Sequence, residues 1–277
     1  MKRLLMCASV LLLLPVSSGA QTPTVDELIA KNLEARGGEA RLKAINTRKV
    51  SGTITLQGMD AKMEVLAKRP NLMLQEMTAG EQRFVTAFDG RQAWALNPML
   101  GATPQRVEGP QAEALRDQAQ FDGLLLGAHQ RGETIEVAGK EIVEGTPTWK
   151  LAIKRENRAT NVFLDEKTGL ERKVSATITG DAGEILIESV ISDYQPVDGA
   201  MVPRRVETRV GGQLQATVRI ESVEFNVPVD DNRFEMPGSA AAPPSSSESP
   251  SDEPPSDEPP SDEPPSDAPT PNAPERP

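Results

Sequence analysis

In 277 residues the chain has one cysteine, Cys7, one histidine, His129, and one tyrosine, Tyr194, and aromatics make up only 3% of it. A lone cysteine excludes a disulfide scaffold, and one histidine beside it is too few for a zinc centre of the usual ligands. A Ser-His-Asp system could use only His129, in the polar stretch Gly127-Ala128-His129-Gln130-Arg131, which reads as an exposed loop. No G-x-S-x-G turn accompanies it. No Walker-type or dinucleotide glycine pattern opens a helix after a strand. Positive charge is also short: 30 Lys and Arg face 41 Asp and Glu, for a net of −11. Without a basic cluster to displace phosphate counterions, nucleic-acid binding is excluded as a main role. The longest apolar run, Leu4 to Val16, is 13 residues, short of the ~20 that span a bilayer. The carboxylate pairs Asp165-Glu166 and Asp230-Asp231 fall in turn-like sequence without the ligand spacing of a calcium loop. Catalysis is not expected, and no cofactor or metal is implied.

What is present divides into three parts. Residues 1–20 read as a signal peptide: Lys2-Arg3 leads, Leu4 to Val16 is the apolar region, and Ser18-Gly19-Ala20 offers a small-x-small cleavage site. Cys7 lies inside that leader and precedes most of the apolar run, so it is no lipidation cysteine. Cleavage near Ala20 leaves an exported chain without cysteine, lipid anchor or transmembrane segment. Residues 238–277 carry 13 of the 24 prolines and nine acidic residues against Arg276, with Ser-Asp-Glu-Pro-Pro at 251–255, 256–260 and 261–265. Such a segment has nothing apolar to bury, so it reads as a disordered, extended tail: a solvated spacer, or an acidic arm for a partner. Between them, residues 21–237 are long enough to bury roughly 70% of their unfolded surface as one domain.

The body opens with a capping box, Thr24 to Glu27, followed by Val25, Leu28, Ile29 and Leu33 at helical spacing. Gly37-Gly38 stops this helix and Leu42 and Ile45 restart it. From Thr47 the period changes to two, and strands are expected at 47–57, 61–68, 72–78, 82–88, 91–96, 132–137, 148–155, 160–165, 170–179, 183–194, 202–210 and 213–225, separated by Gly, Asn, Asp and Pro turns. One helical break, 109–127, interrupts them. The fold class is α+β, mainly antiparallel β: one large curved sheet, an incomplete barrel, covered by the N-terminal helix and the short helical insert.

Several strands are apolar on both sides, for example Leu72 and Leu74 against Met73 and Met77, Phe84 and Phe88 against Val85 and Ala87, and Ala93 and Ala95 against Trp94 and Leu96. A sheet wet on one face alternates cleanly, so here both faces are covered or one lines a cavity. If Arg69-Pro70-Asn71 closes a three-residue hairpin, Met63 faces Met77 and Ala67 lies beside Met73. That places flexible thioethers together, a surface suited to cargo of variable shape. The candidate lining is Met59, Met63, Met73, Met77, Phe84, Phe88, Trp94, Leu96, Leu124, Leu125 and Trp149; the same residues also fit a plain core beneath the helices.

The order of short motifs resembles one family. Phe88-Asp89-Gly90, Trp94 and Asn97-Pro98 are followed by Phe121-Asp122-Gly123, Val143-Glu144-Gly145, Trp149-Lys150-Leu151, Leu164-Asp165 and Thr168-Gly169-Leu170, then Asp193-Tyr194, Val197-Asp198-Gly199, Val202-Pro203 and Phe234-Glu235-Met236-Pro237. Over residues 24–237 this is similar to the outer-membrane lipoprotein-sorting, LolA-like, proteins. The resemblance implies a periplasmic location, a half-open barrel with helices over its mouth, and acyl chains or lipoprotein cargo as partners. It also implies a charged contact between sheet and cover, to which no arginine of this sequence can be matched residue by residue; Arg48, Arg83 and Arg91 are only strand-region candidates. Two functions follow from it: a carrier or binder of lipid-like molecules, or an interaction or sensory module that meets envelope proteins and carries no cargo.

Overall fold

A computed structural model describes residues 22–155, 158–180 and 183–238; the leader and the acidic segment from Ser239 onward lie outside the described residues. Helix α1, Val25–Ala35, starts at the expected capping box: the Thr24 hydroxyl accepts from the Glu27 N–H at 3.2 Å, and the Glu27 carboxylate accepts from the Thr24 N–H at 2.8 Å. After the Gly37-Gly38 break comes the short helix α2, Glu39–Ala44. Gly37 has φ 119°, and a Cβ there would lie 2.5 Å from the Gly199 carbonyl oxygen. Only glycine lets the end of α1 rest on the 198–199 turn.

Six strands follow: β1 Thr47–Leu56, β2 Met59–Lys68, β3 Leu72–Ala79, β4 Gln82–Asp89, β5 Ala93–Leu96 and β6 Gln105–Val107. Helices α3, Gly109–Gln118, and α4, Leu124–Gln130, separate them from β7 Thr134–Val143, β8 Thr146–Arg155, β9 Arg158–Asp165, β10 Glu171–Gly180, β11 Gly183–Val197, β12 Ala200–Val210 and β13 Gln213–Phe225. All pair antiparallel in one curved, unclosed sheet ordered β6-β5-β4-β3-β2-β1-β13-β12-β11-β10-β9-β8-β7. Two meanders are thus joined where β1 meets β13. That seam carries a bulge at Gly52, where a Cβ would fall 2.0 Å from the Arg219 carbonyl oxygen.

The strand pattern agrees with the sequence reading, and the hairpin register is the expected one: Met63 pairs with Met77 and Ala67 with Met73. Three features differ. The strand expected at 132–137 runs over Thr134–Val143. The helical insert extends to Gln130, so His129 lies in α4 and not in a loop. Leu125 and Ala128, three residues apart, bury one side of that turn against β8 and β9 and carry the helix through the polar residues beyond. The third is β6, three residues that extend the edge beyond β5.

Both sides of β2–β5 are covered, by different elements. On the concave side Met73, Phe88 and Ala93 pack with Leu115 of α3 and its C-cap Ala119. On the convex side Leu66, Leu74, Val85, Ala87 and Trp94 pack under the segment after β13, through Phe234 with Val229 and Met236. This strap is anchored by a hydrogen bond from the Trp94 indole to the Phe234 carbonyl at 2.7 Å, by the Lys68–Asp231 ion pair and by Thr47 donating to the Val227 carbonyl. At the other end of the sheet, α1 and α4 cover β8 and β9 through Leu28, Ile29, Leu125 and Ala128 on Leu151, Ile153, Val162 and Leu164.

The strap therefore belongs to the folded body. Ending the chain at Gly238 is expected to leave the melting temperature within a degree or so. Phe234→Ala, which empties a fully buried site, is expected to cost about 3–5 kcal/mol, or roughly 10 °C in a domain of this size. Differential scanning calorimetry checks both. A large loss on removing the tail contradicts the boundary.

Candidate functional site

Register assigns the concave face residue by residue. On β2, β1 and β13 the rows are Ala67–Arg48–Phe225, Val65–Val50–Val223, Met63–Gly52–Ile220 and Ala61–Ile54–Val218. Along β1 this face reads Arg48, Val50, Gly52, Ile54: one charge at the head of an apolar row. From 48 to 54 the row runs about 20 Å at ~3.3 Å per residue. Its far end is the cluster Ile54, Ala61 and Met63 with Met77, Ala79, Ala216 and Val218, to which no helix contributes. Val50, Val223, Val218 and Met77 remain half-buried. On the opposite face, away from the strap, polar contacts lie behind the row: Lys49–Glu64 at 2.8 Å, Thr53 donating to Glu221 and, on the neighbouring β3 and β4, Arg83–Glu76 at 2.7 Å.

At the head of the row, α2 and the 119–123 connection close over the sheet. Ile45, Ala67, Phe121 and Ala200 form the contact, with Leu42 and Phe225. Arg69, in the β2–β3 turn, ties three segments together. Its Nε donates to the Ile45 carbonyl at 2.7 Å, one terminal nitrogen donates to the Leu42 carbonyl at 2.8 Å, and the other pairs with Asp122 Oδ2 at 2.5 Å. The guanidinium also lies 4.6 Å from the Phe121 ring centroid. Arg36, at the end of α1, donates to the Asp122 carbonyl at 3.0 Å, so both ends of Asp122 are held by arginines.

Between these groups is a cavity of about 50 Å³ lined by Arg36, Arg48 and Arg69, the single carboxylate Asp122, and an apolar set that includes Leu42, Phe121, Leu126, Val202 and Phe225. Arg48 makes no hydrogen bond or ion pair among the described residues; its close partner is the Phe121 ring, 5.1 Å from its Cζ. Burial, and then Arg36, hold its pKa down at about 10 against the partial support of Asp122. Tyr194 donates to the Glu171 carbonyl at 2.9 Å, and burial raises its phenol well above the ordinary range, so it is a neutral structural group.

The structure separates the eleven residues singled out from the sequence. Met63, Met73, Met77, Phe84 and Phe88 share the concave face by register. Of these, Met73 and Phe88 are buried beneath α3, whereas Met77 and Phe84 stay half-buried. Leu124, Leu125 and Trp149 join the cluster under α1, with Leu125 1% exposed. Lys140 stands 4.4 Å over the Trp149 ring. Met59 is 72% exposed at the β1–β2 turn. Trp94 and Leu96 point to the convex side, under the strap. None of the three strand-region arginines ties sheet to cover: Arg83 pairs with Glu76 on the convex face, Arg91 is exposed in the 89–92 turn, and Arg48 lines the cavity. Arg69 does. Arg36, Arg69 and Asp122 were not legible as a set, because each sits in a turn or helix end where polar residues are ordinary.

The carboxylate pairs are accounted for locally. Asp165 caps its own turn by accepting from the Lys167 and Thr168 N–H groups, and Asp231 pairs with Lys68. Among the described residues no cluster of three or more His, Cys, Asp or Glu is placed to hold a metal, and no helix is long and apolar enough to cross a membrane.

No protein-family model and no curated protein matches the chain. Solved structures do. A LolA superfamily protein from Nitrosomonas europaea superposes with a TM-score of 0.54 at 15% identity, over 77% of this chain and 98% of that one. The fold is LolA-like. A putative outer-membrane lipoprotein-sorting protein domain from Vibrio parahaemolyticus gives 0.52 at 11% identity, over 76% and 95%. A DUF1329 family protein from Desulfovibrio piger gives 0.54 at 10%, over 77% and 98%. At these identities the likeness is one of fold.

Because Arg69 holds α2 and the 119–123 connection to the sheet, Arg69→Ala is expected to destabilise the protein by about 3 kcal/mol, leaving Asp122 without its ion pair. Arg69→Lys is expected to rescue it poorly, since one ammonium cannot span three acceptors fixed in a fork. Hydrogen exchange checks the mechanism: amides of 39–46 and 119–123 speed up in the variant before those of β8 and β9. Uniform acceleration, or none, contradicts a local tie.

Proposed function

We propose that the protein is an exported, non-catalytic carrier or binder of lipid-like molecules, whose acyl chain lies along the concave face of the sheet. The binding unit is the body, residues 21–237, delivered outside the cytoplasm by the leader 1–20, with 238–277 as a solvated extension. The observation that carries this reading is the apolar row of β1, β2 and β13, where half-buried Val50, Val218, Val223 and Met77 surround the buried Ile54, Ala61 and Met63 and no helix contributes to the cluster. A partly buried aliphatic surface on the inner side of a sheet is what an apolar guest needs. Two of the superposed structures carry LolA-superfamily and lipoprotein-sorting names, which agrees with such a role.

The energetics are adequate without specific polar contacts. Each methylene removed from water contributes ~0.8 kcal/mol, so about a dozen supply roughly 10 kcal/mol against an association cost of about 4–15. The closed cavity at the head of the row, about 50 Å³, is far below the ~300–1,000 Å³ of ordinary ligand sites, so a chain enters by the open end or as the cover lifts.

Met77→Glu tests the reading. Met77 is half-buried beside water, so a carboxylate there should cost the fold little, yet it places a charge in the path of the chain. Uptake of a fluorescent fatty-acid probe is expected to fall at least tenfold with the melting temperature lowered by only a few degrees. Leu125→Glu, in contrast, is expected to unfold the protein. If the wild type takes up no probe, or Met77→Glu takes up as much as the wild type, the carrier reading fails.

A further inference from the structure

The cavity at the head of the apolar row is built differently from the row itself. Three guanidiniums, Arg36, Arg48 and Arg69, meet one carboxylate, Asp122. Arg69 takes an oxygen of that carboxylate and Arg36 takes the backbone carbonyl of the same residue. Arg48 is left over: half-buried, over the Phe121 ring, without an acceptor among the described residues. A guanidinium withdrawn from part of its water without gaining an anion is unfavourable, and its neighbours Arg36 and Arg69 add repulsion. The site is therefore one negative group short of balance.

Position says what would supply that group. Arg48 is the first residue of the concave row on β1, and every later residue of that row, Val50, Gly52 and Ile54, is apolar. The neighbouring row on β13 starts at Phe225, which lines the cavity, and continues through Val223 to Val218. A single negative charge next to Arg48 thus has about 20 Å of aliphatic track leading away from it. The cavity, about 50 Å³, has room for a small oxyanion and none for a chain.

We infer that Arg48, flanked by Arg36 and Arg69, forms a subsite for the anionic head, a carboxylate or a phosphate, of the amphiphile whose chain lies along the β1–β13 row. This rests on the carrier reading and adds a choice of cargo to it: acid-headed chains over uncharged chains of equal length. An arginine meets such a head with two parallel N–H donors, a geometry that lysine reproduces only as a point charge.

The test compares a fluorescent polyene fatty acid with the alcohol of the same chain, on the exported protein, and measures inorganic phosphate alone as a separate arm. The wild type is expected to prefer the acid by about tenfold, the worth of one charge-assisted contact. Arg48→Gln should bind acid and alcohol equally, with alcohol affinity unchanged from the wild type. Arg48→Lys should restore part of the preference. Equal binding of acid and alcohol by the wild type overturns the subsite and leaves the carrier standing; no binding of either overturns both. Phosphate alone binding as tightly as the acid would make this a free-anion site and overturn the amphiphile assignment. Should Arg48→Gln fail to fold, the wild-type ratio and Arg48→Lys still decide.

Discussion

The architecture is governed by a shortage of cover. Thirteen strands in one curved sheet present two faces, and the helices available have 11, 6, 10 and 7 residues. They suffice for the two flanks of the concave side, α1 and α4 over β8–β9 and α3 over β3–β5. The convex side of β2–β5 is apolar as well and takes the strap through Phe234. Among the described residues no helix joins the cluster in the middle of the concave face. There Val50, Val218 and Val223 stay half-buried beside the buried Ile54, Ala61 and Met63, and the proposed function rests on that surface.

Where the cover stops, it is fastened by charge and not by packing alone. α2 is short, and none of its residues is buried, so it has little apolar surface with which to hold itself down. Arg69 compensates by engaging the carbonyls of Leu42 and Ile45 at its end and Asp122 on the facing connection. A contact made of a few directional bonds can be broken and remade as a unit, whereas an interdigitated apolar seam cannot. The α2 side is thus held by directional bonds beside a small apolar contact, in contrast to the larger packed seam around Leu125 and Ile153.

Much of the fold was legible because strands of period two and Gly or Asn turns are local signals. The Arg69-Pro70-Asn71 turn fixed a register, and with it the Met63–Met77 and Ala67–Met73 pairs. Facing was not legible. Ala93 and Trp94 are both apolar, so alternation alone cannot say that Trp94 is the one under the strap, and the strap itself has no period to announce it. His129 was read as a loop because polar residues surround it, while Ala128, which holds the helix there, is too small to mark a face. The arginine cavity was hidden for a similar reason: Arg48 heads a strand, Arg69 sits in a turn and Arg36 ends a helix, and charge at each of those places is ordinary until the chain brings them together.

The central claim is that the apolar concave row holds an amphiphile. Native mass spectrometry of the protein taken from its own envelope fraction measures this with no assumption about which one. The account predicts the polypeptide together with one bound lipid-like molecule, retained under gentle ionisation and released as collision energy rises. Bare polypeptide, recovered under conditions that keep other envelope lipids bound to their proteins, would contradict it.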